Sequence, residues 1–272
     1  MVLFPNCKIN IGLNILAKRT DGYHDLQTFF YPIGIKDAVE IIRSEHQIKD
    51  VKFSSSGIQV HGKADDNLCI KAYHLIKKDF PELPSVTLHL HKVIPMGAGL
   101  GGGSADAAFI LKLINTKFEL QLTKEQLLAY ALQLGSDCPF FIINKPCFAT
   151  GRGEIFEPLE IDLSAYKIFI LNPGIHISTA LAFTNILVGE NNSDLKNLIK
   201  SPPKEWRDHI INDFEKPVFA AYPEIAAIKE TLYAYGAIYA SMSGSGSTVY
   251  GIFEKDNTPE MNFPNHYFQK WV

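Results

Sequence analysis

The chain has 272 residues, with 46% apolar and 20% charged side chains, which is an ordinary globular composition with room for one large domain or two small ones. Its formal net charge is −3, and the Lys and Arg residues are spread without the basic block typical of a nucleic-acid surface. An anionic substrate would therefore have to be held by local positive charge or by backbone donors.

The cysteines and the N-terminus bear on the cellular compartment. The four cysteines include no C-x-x-C pair and do not make a disulfide framework in a chain of this length, which favours a reducing cytosol. The N-terminus lacks the features of a signal peptide, and no apolar run approaches the roughly 20 residues that span a bilayer. We expect a soluble, cytoplasmic protein that binds neither nucleic acid nor membrane.

The first part of the chain is predicted to consist mostly of strands. Partial alternation of apolar and polar residues, with an Asp-Gly turn signal in TDGYHD, is typical of strands with one buried face. Leu68, Ala72, Leu75 and Ile76 then follow at the spacing of an amphipathic helix. The predicted elements are a strand at 8–17, strands within 26–43, short strands at 51–53 and 58–60, and a helix at 67–80.

The remainder of the chain mixes helices with strands. Thr123 and Gln126 have capping-box spacing, and Gly236 suits a helix C-terminus. A second pattern begins after about residue 156, so we predict an α+β protein with two lobes. The predicted elements are strands at 86–94 and 167–173, helices at 105–118, 123–134 and after Ser178, a mobile polar stretch at 192–206, helical segments within 213–236, and a strand, loop and strand at 237–253.

A glycine-rich loop, PMGAGLGGGS at 95–104, lies between a predicted strand and a predicted helix. Glycine allows positive φ and lets a ligand approach the backbone closely, while the start of a helix presents unpaired N–H groups and the positive end of its dipole. The loop is therefore a candidate phosphate cradle.

Three known types of glycine-rich segment were compared with this loop: the dinucleotide-binding fingerprint, the P-loop and a flexible surface turn. Gly97, Gly99 and Gly102 match the dinucleotide fingerprint G-x-G-x-x-G, but that motif belongs in an early βαβ unit, and about ninety mostly strand-like residues come first here. The P-loop is excluded because no G-K-[ST] follows. A flexible surface turn seldom requires five glycines at a strong helix start.

The pattern P-x-G-x-G-L-G-G-G-S resembles the ATP loop of the GHMP kinases, the group of galactokinase, homoserine kinase, mevalonate kinase and phosphomevalonate kinase. The resemblance implies an N-terminal ribosomal-protein-S5-like lobe at 1–155, a ferredoxin-like lobe at 156–272, and an active site in the cleft between them. It also implies that ATP binds to Pro95, Met96, Gly97, Ala98, Gly99, Leu100, Gly101, Gly102, Gly103, Ser104 and Ala105.

Two further segments resemble the catalytic elements of the family. CKINIGLNI is similar to its opening A-K-[IL]-N strand, with Cys7 in place of Ala; Lys8 and Asn10 lie two apart and point the same way. LGSDCPFF is similar to G-[AS]-D-[VIC]-P. The resemblance implies that Lys8 and Asp137 are catalytic, Asp137 as acid/base, and that Asn10 binds substrate. The alternatives are an exposed Lys and Asn on an edge strand, and an Asp that caps a helix.

RTDGYHDL resembles the branch of the family that phosphorylates 4-diphosphocytidyl-2-C-methyl-D-erythritol. That resemblance implies that Tyr23 and His24 hold the cytosine ring, which stacking and hydrogen bonding allow; the alternative is an ordinary hairpin turn. PGIHISTALAF and MSGSGSTVYGIF match further elements of the family. The substrate contacts they imply are Thr179, Phe183, Gly244 and Ser245.

The remaining candidates have weaker signals. Asn67, in a D-N-L element, and Lys92, just before the loop, are predicted to approach the nucleotide. His89 and His91 point to one side of a strand, but no third metal ligand is in view.

The resemblance implies phosphorylation of the 2-hydroxyl of the cytidylyl substrate by ATP, with Mg²⁺ on the phosphates, in a monomer or weak homodimer. The alternatives are another GHMP kinase of the mevalonate type and a non-catalytic nucleotide-binding protein on the same scaffold.

Overall fold

The computed structural model describes residues 1–44, 50–60, 62–178, 182–183, 186, 188–189 and 193–272. They form two compact units, each built from separated stretches of chain, so the predicted boundary between residues 155 and 156 stays a prediction. The first unit contains Met1–Cys7, Gly34–Met96 and Gly101–Lys145; the second contains Lys8–Ile33, Gly97–Leu100 and Pro146–Val272.

Most of the predicted strands and helices are present in the predicted order, and further elements that were not predicted lie at Val2–Leu3, Cys138–Ile143, Cys147–Thr150, Ile155–Pro158, Leu195–Leu198 and Phe268–Trp271. The strands are β1 (Val2–Leu3), β2 (Asn6–Lys18), β3 (His24–Lys36), β4 (Ala38–Arg43), β5 (Val51–Gly57), β6 (Val86–Lys92), β7 (Cys147–Thr150), β8 (Ile155–Pro158), β9 (Tyr166–Asn172), β10 (Tyr239–Met242), β11 (Val249–Glu254) and β12 (Phe268–Trp271). The helices are α1 (Leu68–Asp79), α2 (Gly102–Lys117), α3 (Lys124–Leu134), α4 (Cys138–Ile143), α5 (Leu195–Leu198), α6 (Glu215–Ala221) and α7 (Pro223–Ala234).

The first unit packs helices on one face of a four-stranded sheet with the order β1-β4-β6-β5. β6 pairs antiparallel with β4 and parallel with β5. Its side chains alternate, with Val86, Leu88, Leu90 and Lys92 on the buried side. The core face of this strand therefore ends in a charged residue, which needs a partner inside the unit.

Local sequence signals explain most of the helix boundaries in the first unit. Thr123 and Gln126 form the predicted capping box at the start of α3. α2 begins at Gly102, three residues before the predicted start at 105, so the last glycines of the loop belong to its first turn. The predicted strand at 58–60 is wrong, because β5 ends at Gly57 with a φ of +80°.

The second unit contains two four-stranded sheets, with the orders β2-β3-β7-β8 and β10-β11-β9-β12. Leu13 of β2 forms a parallel bridge to Asn212, and Ile15, Phe169 and Leu232 share one buried core. The described part of the polar stretch predicted to be mobile, residues 193–206, contains α5 and a buried Trp206, and its mobility stays a prediction. The helix predicted after Ser178 falls largely outside the described residues.

Among the described residues, no helix is both long enough and apolar enough to cross a bilayer.

Candidate active site

Lys8 is a buried cation in the second unit. It is 3% exposed, as is Asn10, so neither residue is the exposed polar group that an ordinary edge strand would carry. The Lys8 ammonium donates to Asn10 Oδ1 at 2.6 Å and to the Gly99 carbonyl at 3.0 Å, and it lies 5.2 Å from the centre of the Phe30 ring. These contacts fix its position.

Asn10 connects Lys8 to the interior of the sheet. Its Nδ2 donates to Thr28 Oγ1 at 2.9 Å, and the Thr28 hydroxyl donates to the Gly12 carbonyl at 2.6 Å. Both polar ends of the amide are thus bonded within the unit, which suits a residue that orients Lys8. The substrate contact predicted for Asn10 stays a prediction.

The first half of the glycine loop packs against the C-terminal Gly/Ser loop in this same unit. Ser243 Oγ donates to the Gly99 carbonyl at 2.8 Å and accepts from the Asn10 backbone N–H at 3.2 Å. A Cβ on Gly99, whose φ is +76°, would lie 1.9 Å from the Ser243 carbonyl oxygen. The approach at Gly244 is less tight, since its Cβ would lie 3.3 Å from the Gly99 carbonyl oxygen and 3.4 Å from Asn10 Oδ1. The structure therefore assembles Lys8, Asn10, Gly99 and Gly244 with Ser243, which the sequence analysis did not single out.

The second half of the loop begins α2 in the first unit. Gly101 has a φ of +69°, and the first turn of the helix contains no acidic residue. A Cβ on Gly102 would lie 2.8 Å from Ile94 Cγ2 and 3.0 Å from Lys92 Nζ, whereas one on Gly103 would meet nothing within 4 Å. The helix start is therefore closed on the Gly102 side and open at Gly103, where its backbone donors and dipole favour an anion.

The Lys92 side chain lies inside the first unit. Its ammonium forms ion pairs with Asp37 and, at 2.8 Å, with Asp106, and all three side chains are at most 2% exposed. Its charge is therefore engaged by two carboxylates, and this geometry gives no support to the nucleotide contact predicted for Lys92.

Asp37 and Asp106 were missed by the sequence analysis, although the inward position of Lys92 on an alternating strand was a usable signal. Asp37 Oδ1 also accepts from the Ile94 backbone N–H at 2.8 Å. Asp106 Oδ1 is buried without a hydrogen-bond partner. Burial raises the pKa of Asp106, with the Lys92 charge opposing that change.

Asp137 immediately precedes α4 and is partly exposed. Its side chain makes no capping hydrogen bond to that helix, so the alternative of a simple helix cap is not supported. The neighbouring Cys138 thiol stays protonated at neutral pH, because burial raises its pKa to about 12. Cys138 is therefore a packing residue and not a nucleophile.

Asn67 is the N-cap of α1. Its side-chain oxygen accepts from the Cys69 backbone N–H at 2.9 Å, which gives the residue a structural role. The nucleotide contact predicted for Asn67 stays a prediction.

Tyr23 and His24 lie at the start of β3, after a turn closed by a hydrogen bond from the Arg19 N–H to the Tyr23 carbonyl at 2.8 Å. Tyr23 is 52% exposed. The His24 ring stacks on Phe183 with centroids 4.5 Å apart, and Phe183 packs edge-on against Phe214 at 4.9 Å. Burial and then Lys18 lower the pKa of His24, which favours the neutral imidazole.

The other predicted site residues have less informative surroundings. Ser245 is partly exposed, Met96 is exposed, and Ala105 is wholly buried. Thr179 lies outside the described residues. His89 and His91 hydrogen-bond to Ser56, at 3.0 Å each, and the described residues contain no group of three or more His, Cys, Asp or Glu placed to hold a metal ion.

The chain matches two family models, the GHMP kinases N terminal domain over residues 67–145 and the GHMP kinases C terminal over residues 191–260. A 4-diphosphocytidyl-2-C-methyl-D-erythritol kinase from Azobacteroides pseudotrichonymphae genomovar. CFP2 is 51% identical, with 98% of this chain and 100% of that protein covered. The protein of that name from Bacteroides thetaiotaomicron is 49% identical, with 98% of each covered.

Solved structures give the same grouping. The crystal structure of a 4-(cytidine 5'-diphospho)-2C-methyl-D-erythritol kinase is 28% identical, with a TM-score of 0.79 over 93% of this chain and 90% of that chain. The mevalonate kinase of Methanococcus jannaschii is 10% identical, with a TM-score of 0.69 over 94% and 92% of the two chains, so it shares the fold alone.

Proposed function

Because the chain belongs to the GHMP kinases, and within them to the 4-diphosphocytidyl-2-C-methyl-D-erythritol kinases, we propose that it transfers the γ-phosphoryl group of ATP to the 2-hydroxyl of 4-diphosphocytidyl-2-C-methyl-D-erythritol. The products are the 2-phosphate and ADP, in a step of the non-mevalonate route to isoprenoid precursors. The observation that carries this proposal is identity of about half of all residues over nearly the whole chain with relatives of that name.

The reaction sets the work that the residues must do. The bond between the γ-phosphorus and its bridging oxygen breaks, a bond to the substrate 2-oxygen forms, and the hydroxyl proton must leave. Phosphoryl transfer proceeds through a loose transition state with little bonding to the incoming oxygen, so early deprotonation of an alcohol is not needed. In this proposal, Asp137 orients the hydroxyl and accepts its proton late.

Lys8 supplies positive charge for the oxygens of the transferring group. Its ammonium is held by Asn10 Oδ1 and the Gly99 carbonyl, so little reorganisation is needed when charge develops. The open start of α2 at Gly103 supports a phosphate-binding role for the glycine loop.

Mg²⁺ would enter as part of the ATP complex and neutralise charge on the phosphates. Mg²⁺ commonly binds through one or two carboxylates together with substrate phosphates, so in this proposal the nucleotide supplies most of its ligands. We propose a cytoplasmic monomer or weak homodimer.

A coupled ADP-release assay with and without the cytidylyl substrate tests the proposal. We expect release that depends on the substrate, and phosphorus NMR of the product should show a new phosphomonoester on the 2-oxygen. Mevalonate and homoserine serve as competing acceptors. Preference for either of them would establish the alternative GHMP activity, and ATP binding without turnover of any acceptor would favour the non-catalytic alternative.

A further inference from the structure

Arg152 lies against the exposed ring of Tyr23. Its guanidinium carbon is 4.5 Å from the centre of that ring, which is the geometry of a cation–π contact. Arg152 belongs to the turn between β7 and β8, and no role was predicted for it from the sequence. Both residues lie in the second unit, so the contact is formed within one compact body.

The turn that carries Arg152 is fixed by its own hydrogen bonds. The Gly151 carbonyl accepts from the Leu26 N–H at 2.7 Å, and the Gly153 N–H donates to the Thr150 carbonyl at 3.1 Å. The Arg152 N–H donates to Glu154 Oε2 at 2.5 Å, and its Nε lies 3.5 Å from Glu154 Oε1. The guanidinium is therefore aimed at Tyr23 by a turn bonded directly to β3.

Two arginines lie near Tyr23, and their charged groups have different partners. Arg19 is engaged by Asp21 and Asp25, at 3.0 Å and 2.9 Å. Arg152 instead places its charge over the ring, and it also lowers the pKa of Asp21, after larger contributions from Arg19 and the Tyr23 backbone N–H. The ion pair of Arg152 with Glu154, at 3.5 Å, is longer than those of Arg19, and the guanidinium also lies over the Tyr23 ring.

We propose that Arg152 is a positioning residue for the cytidylyl group of the substrate. It covers one face of Tyr23, holds the ring in place for the base, and sets a permanent positive charge beside a ligand that carries a diphosphate. The inference rests on the proposed function, since it takes Tyr23 as a base-binding residue. An arginine suits this role because its flat, weakly hydrated guanidinium stacks on an aromatic ring better than an ammonium does.

Steady-state kinetics of Arg152→Ala and Arg152→Lys test the inference. We expect Arg152→Ala to raise the KM for the cytidylyl substrate by roughly threefold to tenfold, with kcat and the KM for ATP unchanged. Arg152→Lys should restore only part of the loss, because it returns the charge without the planar stack. In a Tyr23→Ala background, Arg152→Ala should have a much smaller effect.

Three outcomes would overturn the inference. They are an unchanged KM in Arg152→Ala, a fall in kcat with KM preserved, and full restoration by Arg152→Lys with effects that add in the double variant. The last outcome would reduce Arg152 to a source of charge that does not position Tyr23.

Arg207 provides the matched control. Its guanidinium carbon lies 4.1 Å from the centre of the Tyr233 ring in the same unit, and neither residue is among those predicted to bind a ligand. Arg207→Ala should leave both KM values unchanged, and the thermal unfolding midpoints of all variants would show whether they fold. If the wild-type protein does not turn over the cytidylyl substrate, the proposed function fails; if it does and Arg152→Ala behaves like wild type, only this inference fails.

Discussion

Lys8 is a charge removed almost completely from solvent, which costs free energy unless polar groups surround it. Asn10 Oδ1 and the Gly99 carbonyl supply two such groups, and Thr28 in turn fixes the Asn10 amide. The residues that hold Lys8 in position therefore matter to the candidate site as much as the residues expected to take part in the reaction.

Asp137→Asn keeps the shape of the side chain while removing its charge and its basicity. We expect kcat to fall by about 10²–10⁴ with modest changes in either KM. Lys8→Ala should lose a comparable factor, and the double variant should lose much less than the product of the two, because both residues are proposed to serve one chemical step. A near-wild-type kcat in folded Asp137→Asn would remove its acid/base role.

His24→Ala should raise the KM for the cytidylyl substrate by about tenfold to a hundredfold, because bonds to the base worth about 1–3 kcal/mol are lost. The KM for ATP should hardly change. An effect on ATP instead of the cytidylyl substrate would assign His24 to the nucleotide.

The pH dependence of the same KM supplies a separate prediction for His24. Because its pKa is lowered from the ordinary 6.5, the ring stays neutral at pH 7 and takes up a proton only below that value. We expect a wild-type KM that is flat from pH 7 to 8 and changes only as the pH falls below about 6.5. The change should be absent in His24→Ala, and its persistence there would point to another group.

At the scale of elements, the glycines at the start of α2 differ in whether the fold requires them. Gly101 and Gly102 are required by the backbone or by packing, whereas Gly103 has space for a side chain. Gly101 has a positive φ, and a side chain on Gly102 would collide with Ile94. Substitutions such as Gly101→Val or Gly102→Asp, which the sequence alone suggests as tests of ATP binding, would therefore strain the protein as well. Gly103 has room for a side chain and is the better position.

Gly103→Asp should fold at least as well as the wild type, since it replaces a helical glycine and puts a negative charge at the helix N-terminus. That charge would compete with phosphate, and we expect ATP affinity measured by calorimetry to fall at least about tenfold. Gly103→Ala is the control for side-chain size and should lose less. Unchanged ATP affinity in Gly103→Asp would exclude this helix start as the phosphate site.

At the scale of the whole molecule, stability depends on the buried group of Lys92, Asp37 and Asp106. Removing the cation would leave two buried carboxylates without their counter-charge. Lys92→Ala should therefore lower the free energy of unfolding by about 3–5 kcal/mol. Denaturant unfolding measures this directly, and a loss below about 1 kcal/mol would show that the group is solvated or rearranged.

The effect of Asp106→Asn on the free energy of unfolding should depend on pH. The pKa of Asp106 is raised by burial, so the fold favours the protonated form; its stabilising contribution is complete below about pH 4 and is lost as the pH rises toward the folded-state pKa. We therefore expect the free energy of unfolding of Asp106→Asn, relative to that of the wild type, to be higher at pH 8 than at pH 5. An equal difference at both pH values would contradict the raised pKa.

Much of the fold and of the kinase assignment was predictable from short stretches of sequence. The α+β GHMP kinase fold is confirmed, as are the α3 capping box and the strand before the glycine loop. The predicted strand at 58–60 failed because the left-handed φ at Gly57 ended β5. The roles of Lys8, Asp137, Tyr23 and His24 remain predictions from motifs.

The glycine loop at a helix start, the family and its expected chemistry could all be inferred from the amino-acid sequence, because periodicity, caps and motifs are local properties of the chain. The tertiary structure alone decided which polar groups meet. Lys92 joins Asp37 across 55 positions, Asn10 joins Ser243 across 233, and Arg152 finds Tyr23 through the turn after β7. Such contacts depend on strand register and loop closure, which no local pattern specifies, so only folding brings these side chains together.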